Sequence, residues 1–271
     1  MGKPVPQQIG ASHPRIKQAR NLIRNAAPNH DQLFVAEGLW AHRVLLDAGV
    51  AIRTFFWSPE SAYSPEAIAC SDEVRLVAHS TYRISAKTLT RITDRDRPDG
   101  LVSIAEQPVW QPEALVLGDE ALVVVADGVE IPGNLGSLLR TLDACAADAL
   151  VLTNRRTRMT HPKVLRGSRG MSLTVPSVEF GTPEDAIAWL ERLDFNVYLA
   201  DTDEAEVYSN VDFSGRTAIV VGNERYGVSR PWFDREFARV CVPMLGAADS
   251  LNVATSAAVL LYAARAAKGG W

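Results

Sequence analysis

The chain has 271 residues, 47% of them hydrophobic and 22% charged, with a formal net charge of -4. That is ample apolar material for a core and excludes disorder over most of the length; at roughly 100–200 residues per domain, two domains or one large one are expected. No apolar run approaches the roughly 18–20 residues a membrane helix needs, and the mildly acidic balance weighs against nonspecific nucleic-acid binding while leaving room for a local basic patch.

The opening segment, up to His13-Pro14, has no apolar stretch and reads as a flexible lead-in rather than a secretory signal. Residues 15–26 carry Ile16, Ala19, Leu22 and Ile23 at helical spacing. A short strand follows in QLFVAEG, then a helix over 38–48 on Leu39, Val44, Leu45 and Leu46. Strands are expected at 52–58, 74–78 and 101–106, with a Ser-Pro turn after the first and a helix over 80–92. Together these make a smaller N-terminal α/β unit, residues 1–107. Residues 108–118, which contain Pro108 and Pro112, read as a linker.

A second unit occupies 119–271. Residues 121–127 (ALVVVAD) are continuously apolar, the pattern of a buried parallel strand. A helix over 135–148 puts Leu135, Leu138, Leu139, Leu142 and Cys145 on one face. Strands are expected at 149–153, 172–178, 196–201, 217–224 and 238–244, with helices starting near Pro183 and running from 252 to 267. Such alternation predicts an α/β fold with a parallel sheet between helices. Cys70, Cys145 and Cys241 are odd in number and far apart, which argues for buried free thiols. His13, His30, His42, His79 and His161 are dispersed and read as surface or structural; no cluster suggests a metal.

Three segments carry chemistry. Asn134-Leu-Gly136-Ser-Leu-Leu-Arg140 lies where a Gly/Pro loop enters a helix, with Asn134 at the expected N-cap and Arg140 among leucines. Gly222-Asn223-Glu224-Arg-Tyr-Gly227 follows a buried strand directly, at the edge where α/β sheets bind ligands. Val242-Pro243-Met244 and then Ser250-Leu251-Asn252-Val253 join a strand end, a loop and a helix start. Each alone fits an ordinary cap or turn. In this order and spacing they resemble the signature motifs of the SpoU/TrmH family of the SPOUT superfamily: N-x-G-x-x-x-R, G-N/S-E-x-x-G, and V/I-P-M with S-L-N-V. Residues 165–170 (LRGSRG) resemble that family's intermediate stretch, and the N-terminal unit more loosely resembles its small substrate-binding domain.

The resemblance implies an S-adenosylmethionine-dependent RNA 2'-O-ribose methyltransferase, homodimeric, with a deep trefoil knot in the catalytic domain; the free thiols fit a reducing cytosol, and a cytoplasmic location is expected. It places the cofactor against Gly222, Val242 and Leu251, with Asn223, Gly227 and Met244 beside them. A guanidinium is a permanent cation and a poor base. Arg140 is therefore expected to activate and orient the ribose hydroxyl, with Asn134, Glu224, Ser250 and Asn252 positioning it, the substrate and the loops; no residue is assigned as the proton acceptor. Methyl transfer from a sulfonium needs no metal. The chain departs from the commonest family pattern at Arg225-Tyr226, where small residues are frequent, and at Thr255.

RNA contact has separate support. Arg155, Arg156, Arg158, Lys163, Arg166 and Arg169 fall in a stretch without Asp or Glu, and arginine suits bidentate phosphate contacts. A second cluster, Arg91, Arg95 and Arg97, is interleaved with Asp94, Asp96 and Asp99 and reads better as a salt-bridged loop. Arg15, Lys17, Arg20 and Arg24 lie on a helix that also suits RNA; Trp40, Phe55, Phe56 and Trp57 read as core. Alternatives stay open: a knotted methyltransferase acting on a base nitrogen or a small molecule, and an RNA-binding protein on a methyltransferase scaffold. Structured RNA is the expected substrate, with rRNA favoured and tRNA kept as an alternative; whether the role is housekeeping or antibiotic self-resistance stays open.

Overall fold

The expected alternation of strands and helices builds two separately packed units in a computed structural model that describes residues 6–26, 28–93, 98–203 and 205–269. One unit is Met1–Pro108 with Thr160–Pro162; the other is Val109–Met159 with Lys163–Trp271.

The first unit runs β1 (Gln7–Gln8), α1 (Pro14–Ile23), β2 (Leu33–Glu37), α2 (Gly38–Asp47), β3 (Ile52–Trp57), α3 (Pro65–Val77), β4 (Ser80–Arg83), α4 (Ala86–Leu89) and β5 (Leu101–Glu106). The sheet order is β1-β4-β3-β5-β2, with β5 antiparallel to both neighbours. Ile16, Val35, Phe56, Leu89 and Ile104 meet in its core.

Three expectations fail here. Residues 74–78 are not a strand: Ser64 caps α3 by accepting from the Ala67 amide (3.0 Å), Pro65 starts it, and the apolar run is its last turn, with Leu76 and Val77 exposed. Residues 80–92 are not one helix: 80–83 pair in parallel with β3, and a new cap at Ser85 starts the short α4. Phe55 and Phe56 are buried and Trp57 half-buried, but Trp40 is exposed, against its reading as core. Arg95, Arg97, Asp94 and Asp96 lie outside the described residues.

The second unit runs β6 (Leu122–Asp127), α5 (Pro132–Ala144), β7 (Ala149–Thr153), α6 (Pro162–Gly167), β8 (Ser177–Glu179), α7 (Pro183–Arg192), β9 (Asn196–Ala200), β10 (Glu206–Val207), β11 (Thr217–Val221), α8 (Arg230–Phe233), β12 (Ala238–Cys241) and α9 (Val253–Ala267). All pairings are parallel, in the order β10-β12-β9-β11-β6-β7-β8. Both faces of this sheet are covered, which explains its uninterrupted apolar strands. Leu122, Val124 and Ala126 pack with the leucines of α5 and α9, whereas Val123 and Val125 pack with Ile187, Trp189 and Trp232.

The expected strand over 172–178 shrinks to 177–179, because Pro176 has no N–H to give a ladder and 171–173 form a 3₁₀ turn. Helix α5 starts earlier than expected, at Pro132, and stops at Ala144, with Ala146 in the left-handed region (φ 51°). Cys70 and Cys145 are buried free thiols; Cys241 is half-buried. Among the described residues no helix is long and apolar enough to cross a membrane, and no three His, Cys, Asp or Glu side chains are grouped to hold a metal.

From β6 the chain builds outward to β7 and β8 on one side, while β11 and β9 lie on the other. Strand order therefore reverses between β6 and β11. A parallel sheet opens a crevice at such a point, beyond the carboxyl ends of its strands.

Candidate active site

The carboxyl ends of β6 and β11 are Asp127 and Val221, and the loops that leave them are tied together. Asp127 is buried. Its Oδ1 accepts from Thr153 Oγ1 (2.9 Å) and Asn154 Nδ2 (2.7 Å), and its Oδ2 from the Ser229 amide (2.7 Å). One carboxylate thus pins the ends of β6 and β7 to the start of α8. A buried charge is tolerable only when so satisfied. Sequence reading missed this role; the signal was an acidic residue closing an otherwise apolar strand.

The loop after β11 is folded back on itself. Asn223 and Gly227 exchange both backbone hydrogen bonds (2.9 Å each), and Asn223 Oδ1 accepts from the amides of Arg225 (2.9 Å) and Tyr226 (3.2 Å). Asn223 Nδ2 donates to the Gly128 carbonyl (2.9 Å), fastening the loop to β6. Gly222 is required for this fold-back. A Cβ there would stand 2.1 Å from the Gly227 carbonyl carbon. The glycine was expected to admit a ligand; what it demonstrably admits is the loop's own backbone.

Glu224 holds the next element. The cap position of α5 is Ile131, which has no side-chain oxygen, so Asn134 is not the N-cap that its sequence position suggested. Glu224, from the other loop, does that work. Its carboxylate accepts from the amides of Glu130 (3.0 Å) and Ile131 (3.1 Å) and from Asn134 Nδ2 (2.8 Å). Negative charge at a helix N-terminus is stabilised by the unpaired amides and the helix dipole. Burial alone raises the Glu224 pKa, but these hydrogen bonds outweigh it and hold the carboxyl below its ordinary value of 4.5. Asn134 Oδ1 in turn accepts from Asn252 Nδ2 (3.0 Å), and Asn252 caps α9 by accepting from the Ala254 amide (3.0 Å). The three signature segments are thereby joined in one relay, Asn252 to Asn134 to Glu224.

A second packing contact explains Gly136. A Cβ on it would come within 3.0 Å of the Gly167 and Ser168 backbone, so α5 lies directly against the 165–170 stretch. The adjacent Ser168 is fully buried and accepts from the Ser172 amide (3.3 Å).

Beside the relay lies a pocket of about 470 Å³. All six residues expected to touch a cofactor line it: Gly222, Asn223, Gly227, Val242, Met244 and Leu251. Glu224 and Ser250 join them; Asn134, Arg140 and Asn252 do not. Sequence reading missed Asp201 and Thr202 at the end of β9, and Phe233 of α8, which line it too. Its size is ordinary for a cofactor site, and its walls set Val221, Val242, Met244 and Leu251 against a polar side that includes Asp201, Asn223 and Glu224.

Arg140 is exposed on α5 and makes no hydrogen bond or ion pair among the described residues. The side chains expected to position it do not hold it here; Ser250 is exposed, with Asp249 Oδ1 as its hydrogen-bond partner (3.3 Å). In the basic stretch, Arg155, Arg156, Lys163, Arg166 and Arg169 are exposed and Arg158 half-buried. Arg155 pairs with Glu179, just beyond the carboxylate-free run (2.6 Å).

The comparisons with known proteins agree with this geometry. Residues 121–262 match the SpoU rRNA Methylase family, and residues 13–103 match an MRM3-like substrate binding domain. A 23S rRNA (uridine(2479)-2'-O)-methyltransferase from Streptomyces viridochromogenes is 26% identical over 96% of this chain and 92% of its own. The 23S rRNA (guanosine(2553)-2'-O)-methyltransferase RlmP of Bacillus subtilis (strain 168) is 30% identical over 72% of this chain and 78% of its own. An AdoMet-bound rRNA methyltransferase from Sinorhizobium meliloti superposes with a TM-score of 0.85 at 26% identity, covering 96% of this chain and 97% of that one. The first match alone spans just over half of the residues, and the chain belongs to the SpoU rRNA Methylase family.

Proposed function

We propose that this protein is an S-adenosylmethionine-dependent enzyme that methylates a ribose 2'-hydroxyl of rRNA, acting in the cytoplasm as a homodimer. The observation that carries the reading is the convergence of 134–140, 222–227 and 242–252 at the switch point of a parallel sheet, beside a pocket suited to a cofactor. Ribosomal rather than transfer RNA is favoured because both relatives named above act on 23S rRNA. The reading assigns RNA substrate binding to residues 1–107, a linker to 108–118 and methyl transfer to 119–271. It includes a deep trefoil knot, in keeping with a last strand, β12, that pairs inside the sheet between β9 and β10.

Bound S-adenosylmethionine supplies an electrophilic methyl group on a sulfonium. Val242, Met244 and Leu251 offer apolar surface for an adenine, and the loops at Gly222 and Leu251 offer backbone polar groups. Glu224, Asn134 and Asn252 keep the three loops in register and so pre-organise the pocket before substrate arrives. Among the described residues Arg140 has no hydrogen-bond or ion-pair partner to compete for it. As a permanent cation it draws in the RNA backbone, orients the 2'-hydroxyl and stabilises negative charge that develops on its oxygen. Arg155, Arg156, Arg158, Lys163, Arg166 and Arg169 supply phosphate contacts.

The test uses methyl-deuterated S-adenosylmethionine with rRNA and tRNA and reads labelled nucleosides by mass spectrometry, with Arg140→Ala in parallel. A labelled 2'-O-methylnucleoside from rRNA is expected, reduced at least about 100-fold in the variant, with cofactor affinity unchanged. Label on a base would sink the ribose assignment. Sedimentation of the wild type as a stable monomer at micromolar concentration would sink the dimer.

A further inference from the structure

The Asn223–Gly227 loop has two sides. One walls the pocket described above; the other walls a second cavity of about 530 Å³, lined by Asp127, Gly128, Asn154, Arg156, Arg225 and Tyr226 among others. At the loop tip Tyr226 is 80% exposed. This exposure is not slack: the loop is closed by the paired Asn223–Gly227 backbone bonds and by the Asn223 side chain, which accepts from the Tyr226 amide itself. A single exposed aromatic side chain says little. Here three further features surround it.

The Arg225 guanidinium lies 6.0 Å from the Tyr226 ring centroid, at the limit of cation–π range. Arg156 approaches the same cavity from the segment after β7. Both arginines are exposed, and neither has an ion-pair partner among the described residues, in a chain whose net charge is -4. The cavity floor is polar, but its Asp127 carboxylate is already engaged by three donors. The remaining acidic wall residue, Glu130, leaves the arginines as the side for an anion and offers an acceptor for an exocyclic amine.

A rigid aromatic face, two unpaired guanidiniums and a polar cavity are what an unstacked nucleotide requires: a ring to stack on, cations for phosphate, and polar groups for the base edge. We propose that Tyr226, Arg225 and Arg156 form a nucleotide-binding subsite that holds an unpaired nucleotide flanking the methylated one. Tyr226 stacks on the base, and the two arginines contact phosphate. Because both cavities share the 223–227 loop as a wall, an RNA whose ribose is presented at the mouth of the cofactor pocket brings its neighbouring nucleotide to the second cavity. This inference rests on the RNA-methylation reading above.

The test measures binding of a fluorescein-labelled 12-nucleotide oligouridylate to the full chain by anisotropy across a salt series. A companion strand containing 5-bromouridine is photocrosslinked and mapped by mass spectrometry. Expected are a crosslink to Tyr226, a loss of affinity of at least about fivefold for Tyr226→Ala, and retention within about twofold for Tyr226→Phe, which keeps the ring. Arg156→Ala and Arg225→Ala each lower the slope of log affinity against log salt by about 0.7. Thermal unfolding checks that the variants are folded, as substitutions at exposed positions allow. Wild-type affinity in Tyr226→Ala with crosslinks elsewhere overturns the subsite and leaves the methylation reading intact. A wild type that binds neither the oligouridylate nor rRNA overturns both. A Tyr226→Ala chain that sediments as a monomer where the wild type is dimeric makes the loop a protein interface and also overturns the subsite.

Discussion

Glu224 Oε1 accepts a 2.8 Å hydrogen bond from Asn134 Nδ2, a side chain ninety positions earlier. The same carboxylate takes the free amides at the start of α5, so the loop after β11 caps a helix that cannot cap itself. Glu224→Ala leaves those donors unpaired and is expected to cost about 1–3 kcal/mol in urea unfolding, with weaker cofactor binding because the loops lose register. Glu224→Gln is expected to fall between, since an amide offers one acceptor oxygen in place of two. The folded carboxyl is held below its ordinary value of 4.5, so the contribution is fully present above that pH and is lost as pH falls through the lower folded value. An acid limb below pH 4.5 as steep in Glu224→Gln as in the wild type would contradict this.

Two glycines of α5 are expected to respond in opposite directions. A Cβ on Gly133 meets nothing within 4 Å, whereas one on Gly136 meets the Gly167 and Ser168 backbone at 3.0 Å. Gly133→Ala should stabilise by up to about 1 kcal/mol through helix propensity. Gly136→Ala should destabilise by about 1–3 kcal/mol, because backbone must shift to make room. Equal effects of the two substitutions on the urea midpoint would remove the close-approach explanation.

His42 sets part of the pH dependence from inside the N-terminal unit. It is fully buried, with Nδ1 2.7 Å from the Gly38 carbonyl oxygen and Nε2 2.9 Å from Ser103 Oγ. A carbonyl only accepts, so Nδ1 carries the proton and Nε2 accepts from the serine. Burial lowers the pKa from 6.5 to about 4, against smaller opposing effects of the Gly38 hydrogen bond and the Asp99 charge. The folded state therefore keeps the imidazole neutral while the unfolded state takes up a proton. Stability is expected to drop as pH falls from 6.5 towards 4, by about 3 kcal/mol in all. Denaturant titrations of the wild type and His42→Gln check it: the variant should be less stable at pH 7.5 but lack this slope.

The core of the second unit was legible in the chain because burial on both faces leaves an uninterrupted apolar signature, as in 121–127. The motif residues around 134, 222 and 250 were legible through order and spacing. The N-terminal unit was less so: an apolar helix end at 74–78 passes for a strand, and 80–83 belongs to the sheet through its pairing with β3, not through its own pattern.

The chain alone brought Gly222, Asn223, Gly227, Val242, Met244 and Leu251 to the carboxyl edge of the sheet, since strand ends and loop lengths are local properties, but it did not reveal Asp201, Thr202 and Phe233 beside them. Only the tertiary structure decided what those residues touch. Asn134 looks like a helix cap but is a link in a relay, Glu224 looks like an exposed turn residue but is the cap, and Asp127 ends a strand while fastening three segments. The physical reason is common to all three. A buried or half-buried polar group must be satisfied by whatever donor or acceptor folding brings within hydrogen-bond reach, and that partner lies far away along the chain.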